Sequence, residues 1–426
     1  MTAAAAAPGS PPATAGLTRE QMAAARQDRS RRRVLALALV APLGFFLLFA
    51  FFAPIASMLV RSVHNPTVAE LVPETLARLA GWDDAAGPPD RAVMTAMAVD
   101  LKRLQGERSA GKLADELNRR LPGLSSVVKS SARKLAQESD EELAASGAEL
   151  LLASNARWSD PMMWYALEAV GQPYTINNFL TALDLEQTIG PESRIQARSS
   201  AQVYIPLYLK TLRDAFIITV CCLLLAYPLA YVIARASPRN ANLLLVLVLL
   251  PFWTSVLVRT TAWIALLQTN GVLNSVLSWS GLIRQPLEIL FTETATIITM
   301  THILLPFMIL PLYATMKGID PSFMRAALSL GSRPFPAFLR VYLPMTLPGL
   351  SAGAMIVFII SVGFFIIPAL VGGTEGQMIS NLIAFHMQQS GNWELAAALG
   401  ALLLFVILVL YWVYDRLVGI DNMRLG

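Results

Sequence analysis

The chain is predicted to be an all-α polytopic membrane protein, with six transmembrane helices and one mostly helical insertion outside the bilayer. Three observations predict this. Of the 426 residues, 55% are hydrophobic and 15% charged, against about a quarter charged in soluble domains. Six apolar stretches, over 34–60, 212–234, 242–268, 293–316, 348–370 and 395–417, reach or approach the ~20 residues that cross a hydrocarbon core. The basic clusters that flank the short connections, at Arg26 to Arg33, at Arg235 and Arg239, at Lys317, Arg325, Arg333 and Arg340, and at Arg416 and Arg424, all fall on one side once the chain is threaded through six spans.

The first stretch follows Arg26, Arg29, Arg31, Arg32 and Arg33. It is too long for the apolar region of a cleaved signal, so an uncleaved span with a cytoplasmic N-terminus is expected. The opening segment 1–33 reads as a basic cytoplasmic arm whose first fifteen residues, rich in Ala, Pro, Gly and Ser, are expected to be disordered. Residues 61–207 form a polar insertion on the opposite, periplasmic side. Helix-period sets, Val93, Met97, Leu101 and Leu104, then Leu113, Leu117 and Leu121, predict amphipathic helices there. Pro88-Pro89 and Pro122-Gly123 punctuate them. Trp82, Trp158 and Trp164 are expected to anchor its core, and with no cysteine in the insertion no disulfide can hold it.

The remaining five spans occupy 208–418, with a tail at 419–426. Arg235 and Arg239, then Lys317, Arg325, Arg333 and Arg340, then Arg416 and Arg424, all land on the cytoplasmic side, while the outward loop 372–377 carries no Lys or Arg. Both termini are therefore expected in the cytoplasm. Pro228, Pro251, Pro306, Pro311 and Pro368 are placed to kink or break spans. The adjacent Cys221 and Cys222 read as packing residues, since neighbouring cysteines poorly meet disulfide geometry.

The loop between the fourth and fifth spans, 319–350, is short and basic. Asp320-Pro321 reads as a helix start, a two-turn helix is expected over 324–330, and Gly331 reads as its stop. Arg333-Pro334 and Pro336 break the chain again, and a second short helix is expected over 337–342, ending at Leu343-Pro344. The small residues Ala326, Ala327 and Gly331 leave room for another protein's surface. An ordinary connector touching anionic lipid is the plain alternative.

Arg325-Ala326-Ala327, Gly331, and Val341, Leu343 and Pro344 in this loop resemble the cytoplasmic signature of permease subunits of binding-protein-dependent ABC importers. The likeness covers about 34–60 and 200–420, and is strongest to the spermidine/putrescine type. It is carried by Tyr227-Pro228-Leu229-Ala230-Tyr231, by Pro251-Phe252-Trp253-Thr254-Ser255 through Arg259, Thr260 and Trp263, by 304–313, by 368–373 and by Asn392-Trp393. The resemblance implies a type I ABC importer permease fold in a bacterial inner membrane. It implies that Arg325, Ala326, Ala327, Gly331, Val341, Leu343 and Pro344 form an ATPase-coupling loop. The expected partners are ABC ATPase subunits, a second permease and a periplasmic solute-binding protein, with a polyamine as the leading solute. Opine-like compounds, other organic cations and ferric iron are alternatives within the same family. The family's loop usually opens with Glu where this chain has Arg325, so charge complementarity to the ATPase must differ; the long insertion is also absent from the typical permease.

Ionisable and aromatic groups at membrane depth nominate a translocation pathway: Trp253, Arg259, Trp263 and Asp214, with Glu293 and Glu394 at the starts of their spans. Interfacial anchoring and structural ion pairing are the competing roles. No phosphate-binding loop, catalytic constellation or metal-ligand spacing of His64, His302 and His386 is present, so no catalytic residue, metal or cofactor is expected in the chain itself, ATP-Mg belonging to the partner ATPase. The basic clusters flank spans without interleaved aromatics, which argues against nucleic acid. A stand-alone secondary transporter would show internal repeats. A membrane-anchored sensor or scaffold would act through 61–207 and leave 319–350 dispensable.

Overall fold

The computed structural model describes residues 35–82, 87–199 and 202–418. The arginine-rich arm, the Ala/Pro-rich start and the tail with Arg424 lie outside the described residues. The first span is α1 (Leu35–Val63), apolar enough to cross a membrane.

The insertion is α2 (Thr67–Leu71), α3 (Pro73–Leu79), α4 (Arg91–Gly106), α5 (Ala110–Arg120), α6 (Leu124–Leu135), α7 (Asp140–Ser154), α8 (Pro161–Gly171) and α9 (Asn177–Ala182), followed by an antiparallel pair, β1 (Leu185–Gln187) with β2 (Ile195–Ala197). Asp90 starts α4 by accepting from Val93 N–H, and Ser139 with Glu142 closes a capping box on α7. Met97, Leu101, Leu104, Leu113 and Leu117 are fully buried in one core. Trp158 and Trp164 are also fully buried, their rings 5.6 Å apart, whereas Trp82 packs at the margin against Tyr165.

The bundle comprises α10 (Tyr204–Arg235), α11 (Pro238–Leu249), α12 (Val256–Leu267), α13 (Val272–Trp279), α14 (Glu293–Gly318), α15 (Ser322–Ser329), α16 (Pro334–Gly363), α17 (Ile366–Val371), α18 (Ile379–Gln388) and α19 (Trp393–Val418). Helices α10, α14, α16 and α19 are each long and apolar enough to span, and α14 is the central one, 61% buried over its span window. Its faces receive α10, where Cys222 Sγ meets Thr301 O at 3.4 Å, and α16, where Gly349 and Gly353 let the backbones close.

Three expectations about span limits are corrected. The stretch 242–268 is not one straight span: Pro238–Trp253 and Val256–Trp279 meet at 96°. Pro251 lacks a backbone N–H, Thr254 is extended, and Ser255 starts α12 afresh by accepting from Val258 N–H. Beyond the bend Asn274, nearly buried, holds the turn into α13 by donating to the carbonyls of Thr269 and Leu287 and accepting from Leu287 N–H. Irregular backbone at this depth is served from within the protein.

The fifth span starts at Pro334 and not at 348, and no helix ends at Leu343-Pro344. Pro334 sits in the first turn, where its missing N–H is harmless. Phe338–Tyr342 is a π stretch whose wider turn accommodates the ring of Pro344. The same span ends at Gly363 and not at 370, because Pro368 cannot bond back to Phe364. The freed carbonyl of Phe364 accepts from Ser380 Oγ at 2.7 Å, and that of Phe365, which also takes the Ala369 N–H, accepts from Asn381 Nδ2 at 2.8 Å.

Candidate functional site

Two regions carry groups that packing alone does not explain: the loop at the C-terminal ends of α10 and α14, and a polar cluster where α12 meets α14. The loop begins at Asp320, whose side chain accepts Ser322 N–H at 2.7 Å. Hydrogen bonds from Ser322 hold this exposed carboxyl below its usual range. Helix α15 then presents Arg325 and Ala326 to the outside, with Ala327 half-buried. It ends in a left-handed Gly331 at φ +89°. Gly331 N–H donates to Leu328 O and Ser332 N–H to Ala327 O. That is a Schellman stop, which needs the positive φ that glycine supplies without strain.

From the later part of the loop, Val341 and Leu343 are half-buried and Pro344 is exposed on α16. The signature residues therefore divide. Arg325, Ala326 and Gly331 form an outward tip, while Val341 and Leu343 root that tip in the bundle. Sequence reasoning missed the apolar part of the tip: Leu330 is 89% exposed, and Phe323 and Phe335 are exposed beside it. Beneath the tip, Arg235, Lys317, Asp320, Arg325 and Tyr342 line a cavity of about 580 Å³. Arg235 lies over the Tyr231 ring at 4.1 Å, and Tyr231 meets Tyr342 edge-on. Basic residues from the ends of α10, α14 and α15 thus share one end of the bundle.

Where α12 meets α14, the half-buried Arg259 and Trp263 are one turn apart on α12, and His302 on α14 is exposed. Trp263 Nε1 donates to His302 Nδ1 on α14 at 3.1 Å. The Arg259 guanidinium lies 5.7 Å from the Phe252 ring, and its Nε is buried without a hydrogen-bond partner. The structure therefore brings Arg259, Trp263 and His302 together. His302 had no signal in the sequence beyond being a polar residue at membrane depth. Trp253, 78% exposed, stands on the other side of the bend.

Asp214 belongs to a different group. Fully buried near the N-terminal end of α10, it pairs with Arg213 at 2.9 Å and Lys210 at 3.4 Å. Glu293, at the start of α14, completes the network at 2.6 Å from Arg213. Glu394 starts α19, away from both clusters, and lines a cavity against the insertion.

Residues 226–419 match the family described as "Binding-protein-dependent transport system inner membrane component". The chain is 36% identical over 226 residues to the spermidine/putrescine transport system permease protein PotB of Salmonella typhimurium, a match covering 52% of this chain and 79% of that one. It is 31% identical over 278 residues to the inner membrane ABC transporter permease protein YdcU of Escherichia coli, covering 61% of this chain and 87% of the relative. Among solved structures, a chain of a bacterial alginate ABC transporter in complex with alginate pentasaccharide-bound periplasmic protein is similar at 19% identity and a TM-score of 0.43, over 53% of this chain and 82% of that one.

Proposed function

The chain belongs to the family of binding-protein-dependent transport system inner membrane components, as a permease of an ABC importer, and from that premise we propose that it passes a polyamine such as spermidine or putrescine. One observation carries the choice of solute: the 36% identity to PotB across 79% of that permease's length. Aromatic faces suit amine cations, and Trp263 with its fixed partner His302 offers one at membrane depth.

The proposed working cycle is a two-state population shift. ATP binding to two partner ATPases draws the coupling loops together and favours an outward-open permease pair. Solute then enters from a binding protein on the periplasmic side, and hydrolysis restores the inward-open state. Arg325, Ala326, Ala327 and Gly331, with the exposed Phe323, Leu330 and Phe335, supply the ATPase contact, while Val341 and Leu343 anchor it and the exposed Pro344 flanks it. The insertion stands on the periplasmic side, and both termini are cytoplasmic.

Two measurements test this. Whole-cell uptake of labelled putrescine, competed with spermidine, an opine and ferric citrate, should be blocked by the polyamine alone. Competition by either of the others overturns the solute and leaves the permease. Co-purification with the partner ABC ATPase should be lost in Leu330→Asp and Gly331→Asp. Retention in Leu330→Asp, which leaves the Schellman stop intact, overturns the docking surface.

A further inference from the structure

Two adjoining cavities lie where the insertion meets the N-terminal ends of α10 and α19. The smaller, about 380 Å³, is lined by Glu116, Arg119, Arg120, Arg198, His386 and Glu394 among others. The larger, about 530 Å³, is reached past Arg120 and includes Gln187 and Ser193. Arg120 and Asn177 line both.

These two shared residues carry buried polar atoms without a partner, Arg120 Nε and Asn177 Oδ1. Arg120 spends Nη2 on Gln187 O at 2.8 Å, which leaves the Nε–H of a desolvated cation unanswered. Asn177 Oδ1 is a desolvated acceptor. Unanswered groups of both kinds at one place are expensive, and native structures fill such places. The filler must bring an anionic acceptor for the guanidinium and a donor for the amide oxygen.

The remaining groups narrow its chemistry. Arg119 is engaged by Glu116, while Glu394 has no ion pair among the described residues. Arg119, Arg120 and Arg198 are balanced by Glu116, Glu168 and Glu394 in the two linings, so charge alone selects nothing, but a diamine brings no acceptor for the Arg120 Nε–H. A lone carboxylate would leave Asn177 Oδ1 and Glu394 unanswered. We propose that the paired cavity binds a small amino carboxylate, its carboxylate on Arg120 and its ammonium on Asn177 Oδ1, with Glu394 as countercharge. The lining includes none of Trp253, Arg259, Trp263, His302 and Asp214, and the site does not depend on which solute the permease carries. Its walls come from the insertion on one side and from Tyr204, His386 and Glu394 on the other, so an occupant ties the insertion to the ends of α10 and α19. That makes it a control point sensitive to a small metabolite.

The test is calorimetric titration of the full-length chain in nanodiscs with three four-carbon probes: 4-aminobutyrate, butyrate and putrescine. The expected order is 4-aminobutyrate tightest, butyrate weaker, and putrescine without binding at this site. Arg120→Gln should weaken 4-aminobutyrate about tenfold or more, as for loss of a charge-assisted contact. That variant also removes the bond to Gln187, so Asn177→Leu is the companion; it breaks no side-chain bond of Asn177 and should weaken binding about fivefold with an unchanged unfolding midpoint. No heat with the wild type, equal affinity in Asn177→Leu, or putrescine displacing bound, labelled 4-aminobutyrate as effectively as unlabelled 4-aminobutyrate does would each overturn the site, whereas putrescine heat that leaves 4-aminobutyrate binding unchanged belongs to the solute path.

Discussion

The carboxylate of Asp184 accepts the backbone N–H of Tyr204 at 3.1 Å, and also those of Val203 at 3.0 Å and Ile205 at 2.6 Å. A buried side chain from the end of the insertion thus caps a membrane-spanning helix, meeting the positive end of its dipole with a negative charge. The insertion is joined to the bundle by more than a covalent linker.

Replacing Asp184 should therefore loosen that junction. Asp184→Ala removes acceptors for three N–H groups and leaves alanine at a φ of +55°. The expected loss is about 3 kcal/mol, from the cap and the left-handed backbone together. Asp184→Asn keeps one oxygen and tolerates the backbone, so about 1 kcal/mol is expected. Detergent-solubilised unfolding midpoints read the difference. If Asn proves as damaging as Ala, the hydrogen-bond account is wrong.

Gly349 and Gly353 set the approach of α16 to α14. A Cβ at Gly349 would stand 2.4 Å from Thr315 Oγ1 and 2.6 Å from Pro311 O, the latter being backbone that cannot swing aside. At Gly353 the nearest atom is Met308 Sδ at 2.9 Å, the end of a flexible side chain. Gly349→Ala should cost about 3 kcal/mol and Gly353→Ala about 1 kcal/mol. Thermal unfolding of the two variants checks the ranking, and the reverse order would refute the packing argument.

What could be read in the chain follows from which interactions are local. Span-length hydropathy located every long helix, and Gly331 announced its own helix stop because a left-handed turn favours glycine. The 96° bend hid inside a continuous apolar run: Pro251 marked a weak point, but hydropathy does not register direction. Pro344 misled in the other direction, since a π stretch absorbs a proline that would end an ordinary helix. The Trp263–His302 pair joins residues 39 apart, and the Asp184 cap joins residues about 20 apart across a strand pair. Neither has a periodic signature. Leu330 and Phe335 passed as ordinary apolar residues because exposure, not identity, makes them notable.

His386 gives the N-terminal end of the bundle a pH response. It lies on α18, 3.4 Å from the Tyr204 hydroxyl, in the cavity that also holds Glu116, Arg119 and Glu394. Burial, then the Arg119 charge, holds its imidazole below the ordinary histidine value. The unfolded chain therefore takes up the proton more readily than the folded protein. Stability contributed by neutral His386 is full above about pH 6.5 and declines as the pH falls below it. Comparing melting temperatures at pH 7.5 and 5.5, the wild type should lose more than His386→Gln. Equal losses would assign the acid sensitivity to other groups.

Asp214 separates a structural charge from a transport one. Its side chain is fully buried between Lys210, 21% exposed, and Arg213, 54% exposed. Removing one member of a buried pair typically costs 3–5 kcal/mol, roughly, because the partner charge is left stranded. Here Glu293 retains Arg213 at 2.6 Å, and Arg213 also reaches water, so Asp214→Asn should cost only about 2 kcal/mol. Uptake normalised to folded permease should keep its KM, since the fully buried Asp214 is held by Lys210 and Arg213 of its own helix. His302→Ala, which removes the Trp263 partner, should instead raise KM about fivefold. A tenfold rise in KM for Asp214→Asn with unchanged stability would move the carboxylate from scaffold to pathway, and would place the solute's ammonium against the end of α10.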